Sequence, residues 1–94
     1  MSQHLQNARQ YHQAIREILL TEWDPIGVAD IFEAEDEYDS YVPQIYGLIV
    51  RREPVEKIFD YLWWAETKNM ELCGNRKRTE LVARKLAELG KANG

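Results

Sequence analysis

The side chains of this 94-residue chain that could carry chemistry are few and widely separated. His4 and His12 are its two histidines, and Cys73 is its one cysteine. Neither histidine has a glutamate three residues before it, so the Glu-x-x-His pattern of carboxylate metal sites in helical bundles is missing. The sequence also contains no glycine-rich phosphate loop and no nucleophile elbow. We therefore expect no catalytic residue, no metal site and no cofactor, and an enzyme is only a remote alternative.

Most of the negative charge lies in one stretch of the chain. Residues 17–50 contain nine acidic side chains and neither lysine nor arginine, although the net charge of the whole chain is only −4. Such a local excess of charge steers oppositely charged molecules towards a protein. A calcium loop is disfavoured, because the carboxylates from Asp24 to Glu35 do not follow the alternating ligand spacing of an EF-hand. The stretch is therefore expected to form a solvated acidic surface.

The same stretch contains tyrosines, and the combination is typical of a protein-docking surface. Carboxylates act mainly while a basic partner approaches, whereas aromatic side chains hold a complex once it has formed. The sequence therefore predicts a partner-binding set in this stretch. Its members are Asp30, Glu33, Glu35, Asp36, Glu37, Asp39, Tyr38 and Tyr41.

A small acidic domain without catalytic residues has an evident use, which is to cover a basic surface on another protein. Small immunity proteins and antitoxins act in this way when they block the substrate cleft of a nuclease. The favoured function is a non-enzymatic protein-binding domain, with an immunity or antitoxin role against a basic toxin as its most specific form. The alternative is a self-associating accessory or regulatory protein. Its homo-oligomer would form through Tyr61, Trp63 and Trp64 on the third predicted helix.

Four stretches with the 3.6-residue periodicity of amphipathic helices must position these side chains. No stretch alternates apolar and polar residues over the length of a strand. We predict an all-α fold, a compact four-helix domain formed by residues 1–94. His12 falls in the apolar stripe of the first helix, which favours a core or rim histidine over a ligand or a general base. The predicted helices cover about residues 3–22, 36–52, 54–70 and 76–89.

Pro43 leaves two alternatives for the start of the second helix. Either the helix begins at Ser40 as its N-cap with Pro43 in the first turn, or a longer helix is kinked at Pro43. The apolar stripe reaches back to Tyr38, so we prefer the longer helix. Gly47 inside this helix predicts the close approach of another helix.

The turn between the first two predicted helices is Trp23-Asp24-Pro25-Ile26-Gly27. Pro25 ends the helical pattern and should hold the preceding residue, Asp24, in an extended conformation. Gly27 permits a backbone conformation that other residues rarely adopt. Trp23 lies at the end of the apolar stripe, so we expect its ring to be buried in the core.

Residues 19–70 resemble a family of short, uncharacterised bacterial all-helical proteins built around a Trp-Asp-Pro-x-Gly turn. The matching motifs are Glu22-Trp23-Asp24-Pro25-Ile26-Gly27, Asp36-Glu37-Tyr38-Asp39 and Tyr61-Leu62. The resemblance implies an all-helical architecture. It assigns no functional residue, because the family has no established activity.

The sequence predicts a cytoplasmic protein without membrane or nucleic-acid contacts. No apolar run approaches the roughly 18–20 residues that a membrane helix needs, and the polar N-terminus lacks the pattern of a signal peptide. Cys73, as a single cysteine, cannot form an internal disulfide. Glu80 and Glu88 interrupt the basic residues of the fourth predicted helix, which favours a solvated face over a nucleic-acid site.

Overall fold

A computed structural model describes residues 8–28, 31 and 36–92 of the chain. These residues form four α-helices and no strand, so the prediction of an all-α four-helix domain is confirmed. Two helices end in a π-helical turn, and a 3₁₀ turn leads into another. The helices are α1 (Ala8–Ile18), α2 (Val42–Val50), α3 (Val55–Trp64) and α4 (Arg76–Ala92). The π-helical turns are Leu19–Trp23 after α1 and Ala65–Asn69 after α3, and the 3₁₀ turn is Asp39–Tyr41.

One core joins the four helices. α3 packs along α4, α1 packs along α2, and both α2 and the π-helical turn after α1 contact α4. Trp23 is buried in this core, as the sequence predicts. None of the described helices is both long enough and apolar enough to span a bilayer. The buried apolar residues are Ile15, Ile18, Leu19, Trp23, Tyr38, Tyr41, Val42, Ile45, Leu48, Ile49, Ile58, Leu62, Ala65, Val82, Ala83 and Leu86.

The second helix begins later than the preferred prediction. Residues 36–38 form a turn, the 3₁₀ turn follows, and α2 starts at Val42 with Pro43 in its first turn. In a longer α-helix Pro43 would have to donate an N–H to the carbonyl of Asp39, and proline has no N–H. The N–H of Val42 donates to that carbonyl instead. The extended helix from residue 36 is therefore wrong. Tyr41, rather than Ser40, occupies the N-cap position.

Asp24 departs from the extended conformation that the following proline predicts. Its backbone is left-handed, with φ 34° and ψ 56°. A proline disfavours the right-handed helical region for the residue before it but leaves the left-handed region open. The N–H of Asp24 donates to the carbonyl oxygen of Leu19 at 2.8 Å, which closes the π-helical turn. Because this bond and the Asp24 side chain hold the conformation, the extended prediction is wrong.

The close approach predicted at Gly47 occurs at Gly90 instead. A Cβ at Gly47 would lie 3.1 Å from the guanidinium of Arg51, the residue that directly follows the same helix. A Cβ at Gly90 would lie 3.1 Å from Cγ2 and 3.3 Å from the carbonyl oxygen of Ile49 in α2. Glycine therefore lets α4 approach α2 closely, and α4 continues through the position where the sequence predicts its end.

Candidate docking surface

Residues 24–28, which follow the π-helical turn after α1, are held by hydrogen bonds to the side chains of Asp24 and Tyr38. Oδ1 of Asp24 accepts the N–H groups of Gly27 at 3.1 Å and Val28 at 2.8 Å. The same oxygen accepts the hydroxyl of Tyr38 at 2.8 Å. The Tyr38 oxygen in turn accepts the N–H of Ile26 at 3.0 Å. The tyrosine therefore fixes the turn directly beside the acidic residues that precede it in the chain.

Tyr38 and Tyr41 are core residues rather than contact residues. Their side chains are only 2% and 9% exposed. Their ring centroids lie 5.5 Å and 6.0 Å from that of Trp23. The Tyr41 hydroxyl accepts an N–H from the Asn69 side chain at 2.7 Å. The 3₁₀ turn explains this placement, since residues three apart eclipse one another in that geometry. The aromatic part of the predicted partner-binding set is therefore wrong.

Among the described residues between 17 and 50, two carboxylates pair with basic side chains of other elements. Asp39 accepts two hydrogen bonds from Arg16 of α1, Nε to Oδ1 at 2.9 Å and Nη2 to Oδ2 at 2.7 Å. Glu22 pairs with Lys85 of α4 at 2.5 Å. Bidentate arginine–carboxylate pairs are among the stronger charged hydrogen bonds. Asp39 therefore has a structural role as well as its place in the predicted set.

The remaining carboxylates of the predicted set fall into two groups. Asp36 and Glu37 are exposed, and neither has an ion-pair partner within the described part of the chain. Asp30, Glu33 and Glu35 lie outside the described residues. The described acidic surface therefore consists of Asp36 and Glu37, next to the turn that Tyr38 holds.

The three aromatic residues of the alternative set do not form one face. Trp64 is 47% exposed, and its ring stacks on Tyr61 with centroids 5.8 Å apart. Trp63 is half-buried and stacks on Phe59 at 5.7 Å. The guanidinium of Arg76 in α4 lies over the Trp63 ring at 5.7 Å and over the Phe59 ring at 4.9 Å. Trp63 therefore helps to join α3 to α4, and Trp64 is the exposed member.

A buried glutamate that the sequence does not single out joins three elements. Glu66 is 1% exposed and accepts the indole N–H of Trp23 at 3.2 Å. It also accepts the N–H of Asn75 at 2.8 Å and the hydroxyl of Thr79 at 2.6 Å. Its fourth partner is Arg78, whose Nη2 donates to Oε2 of Glu66 at 3.3 Å. We call Glu66 with these four residues the Glu66 cluster.

A sequence signal for Glu66 does exist. Ile58 and Leu62 are apolar residues four positions apart, which places them and position 66 on one face of a helix. Position 66 therefore lies on the buried face, where an ionised side chain is found only with partners. A polar residue at a core position thus indicates a buried cluster.

His12 and Cys73 are the histidine and the cysteine within the described residues. His12 is half-buried and packs edge-on against Tyr46, with ring centroids 4.9 Å apart. This is the rim position that the sequence indicates. Cys73 is exposed and free. The described residues contain no group of three or more metal-ligating side chains, and His4 lies outside them.

Tyr38 should make the fold sensitive to alkaline pH. Burial raises the pKa of its phenol, the bond to Asp24 raises it further, and the bond from Ile26 partly opposes the rise. The folded-state pKa lies above the unfolded value of about 10. The neutral Tyr38 phenol therefore stabilises the fold fully below about pH 10, and this stabilisation is lost as pH rises beyond it. We expect the free energy of unfolding, measured in urea, to fall above about pH 10 more steeply in the wild type than in Tyr38→Phe. Equal slopes would contradict this role of Tyr38.

The described geometry presents exposed carboxylates beside a rigid turn and, within the described residues, no cluster of metal ligands. Such a surface can attract and orient a cationic molecule. Comparison with family models, characterised proteins and solved structures finds no match for this chain.

Proposed function

We propose that this protein is a non-enzymatic binding domain that docks a basic protein on its acidic surface. The acidic surface consists of the exposed carboxylates Asp36 and Glu37. Asp30, Glu33 and Glu35 belong to the same acidic stretch of the sequence. The observation that carries the proposal is that neither Asp36 nor Glu37 forms an ion pair with another described residue.

Within the described residues, ion pairs neutralise two carboxylates of the acidic stretch. Residues 17–50 contain nine acidic side chains and no basic one. Within the described part of the chain, the salt bridges that involve this stretch are Glu22 with Lys85 and Asp39 with Arg16. Like charges that remain close together repel one another, and a cationic partner relieves that repulsion. The excess charge therefore favours association with a basic surface.

An immunity or antitoxin role is the most specific form of this proposal. In that role the carboxylates would cover the basic substrate cleft of a toxin, and the complex would form in the cytoplasm. The free thiol of Cys73 is compatible with a reducing compartment. A bacterial source, which the resemblance to Trp-Asp-Pro-x-Gly proteins implies, fits the same proposal.

Self-association is the second candidate, and one observation favours it. Trp64 is exposed and stacked on Tyr61, and tryptophan and tyrosine are frequent anchors at protein interfaces. A homo-oligomer that dissociates in Trp64→Ala, measured by sedimentation, would support this candidate instead.

The test of the proposed function is the salt dependence of association. The protein is used to capture its partner from a lysate of the source organism, and association with the purified partner is then measured at two salt concentrations. We expect a basic partner whose association rate constant falls as salt rises, because salt screens the attraction between exposed charges that are farther apart than the Debye length, about 10 Å at 0.1 M. An association rate constant that is the same at both salt concentrations would contradict the proposal.

A further inference from the structure

Two exposed aliphatic side chains lie in the connection between α1 and α2. Ile26 is 45% exposed and Ile31 is 48% exposed. Single exposed apolar residues are normal on protein surfaces. These two differ because they lie five residues apart in the connection that also contains the acidic surface.

Hydrogen bonds join the backbone of Ile26 to Tyr38 and the backbone of Ile31 to Val28, within the connection that carries the exposed carboxylates. The N–H of Ile26 donates to the hydroxyl of Tyr38 at 3.0 Å, and Tyr38 directly follows Glu37 in the chain. The Tyr38 side chain and one hydrogen bond therefore link the backbone of Ile26 to the backbone next to Glu37. The N–H of Ile31 donates to the carbonyl oxygen of Val28 at 3.0 Å, which keeps Ile31 close to the same turn.

The position of Ile26 is set before any partner binds. Asp24 receives three hydrogen bonds on one oxygen, and Tyr38 is buried against Trp23. A contact residue that is already fixed loses less conformational entropy on binding than one in a mobile loop. The side chain of Ile26 nevertheless stays exposed, so the turn presents an apolar group on a rigid support.

We infer that Ile26 and Ile31 are the apolar anchors of the acidic surface, in place of Tyr38 and Tyr41. The fitting partner is a basic protein that presents an apolar side chain among its lysines and arginines. This inference rests on the proposed function. The carboxylates govern the rate of association, and the two isoleucines govern the rate of dissociation.

Site-specific photocrosslinking tests the position of the anchors. A benzophenone amino acid is placed at Ile26, at Ile31, at Trp64 or at Val50, which is an exposed apolar residue at the end of α2. After irradiation in lysate we expect one basic protein to be crosslinked from Ile26 and Ile31 and not from Val50. A partner crosslinked from Trp64 but not from Ile26 or Ile31 would overturn the inference and leave protein binding intact. An absence of crosslinks from all four positions would overturn the proposed function as well.

Dissociation kinetics complete the test, measured with the purified partner that crosslinking identifies. We expect Ile26→Ser and Ile31→Ser each to raise the dissociation rate constant by about tenfold, since burial of an isoleucine is lost. The association rate constant should stay within about twofold, because no charge changes. Val50→Ser should alter neither constant, and unchanged unfolding midpoints show that all three variants are folded. Unaltered dissociation in both isoleucine variants, with salt-dependent association retained, would overturn the inference alone.

Discussion

Trp23→Ala is expected to lower the free energy of unfolding by roughly 3–5 kcal/mol. The indole is buried, packs against Tyr38 and Tyr41, and donates its N–H to Glu66. Removing it leaves a cavity among these groups and an oxygen of Glu66 without one of its donors. Because domains are stable by only about 5–15 kcal/mol, a loss of this size should unfold a measurable fraction of the molecules.

Urea unfolding followed by far-ultraviolet circular dichroism measures this effect without relying on the deleted fluorophore. Trp64→Ala is the matched control, because Trp64 is a partly exposed tryptophan on α3. We expect the control to change the free energy of unfolding by no more than about 0.5 kcal/mol, as at ordinary surface sites. Similar losses in the two variants would contradict the central position of Trp23 in the core.

The second large effect is expected from Glu66→Ala. This change removes the acceptor for the indole N–H of Trp23, the backbone N–H of Asn75 and the hydroxyl of Thr79. It also leaves Arg78 without its charged partner. Breaking a buried charged pair by removing one member typically costs about 3–5 kcal/mol, because the groups left behind are desolvated and unpaired.

Two further variants separate the causes of that loss. Glu66→Gln keeps the shape and one oxygen acceptor but removes the charge, so we expect an intermediate loss of stability in urea unfolding. Glu80→Ala removes an exposed glutamate of α4 and should change the free energy of unfolding by no more than about 0.5 kcal/mol. If Glu66→Ala were as mild as Glu80→Ala, the Glu66 cluster would not be a main source of stability.

The core is connected to the proposed docking surface through a short series of contacts. Glu66 binds the indole of Trp23, the indole packs on Tyr38, and Tyr38 binds the backbone of Ile26. A variant in the core therefore displaces the surface turn as well. For this reason, binding measurements are informative only for variants whose side chains are exposed.

Helical periodicity was sufficient to predict the architecture. The apolar spacing of three and four residues yields all four helices, and the end of the first stripe correctly predicts the burial of Trp23. The same reasoning fails at Tyr38 and Tyr41. It treats tyrosines among acidic residues as exposed, whereas a 3₁₀ turn directs both rings into the core. Turn type depends on tertiary packing as well as on sequence, so periodicity alone does not determine it.

The contacts that define the candidate site are mostly between distant residues. Arg16 and Asp39 are 23 positions apart, and Trp23 and Glu66 are 43 positions apart. No local pattern specifies such pairs. The left-handed backbone of Asp24 is also unpredictable from its proline neighbour, because it depends on the hydroxyl of Tyr38 and on the π-helical turn. The carboxylates themselves are evident from composition, but their neighbours are not.

Charge reversal at two matched positions tests the acidic surface most directly. The variants Asp36→Lys/Glu37→Lys and Glu56→Lys/Asp60→Lys each reverse two exposed carboxylates, and each brings the net charge from −4 to zero. The first pair lies on the acidic surface, and the second lies on α3. The measurement is the association rate constant of each variant with the captured basic partner at low salt.

We expect the Asp36/Glu37 variant to associate at least about tenfold more slowly than the wild type, because steering depends on charges near the docking site. The Glu56/Asp60 variant should keep most of the wild-type rate, since it has the same net charge but leaves the acidic surface intact. Slow association of the Glu56/Asp60 variant alone would place the partner on α3. Equal slowing of both variants would mean that association depends on the net charge of the protein and not on the position of its carboxylates. Either result would contradict docking on the acidic surface.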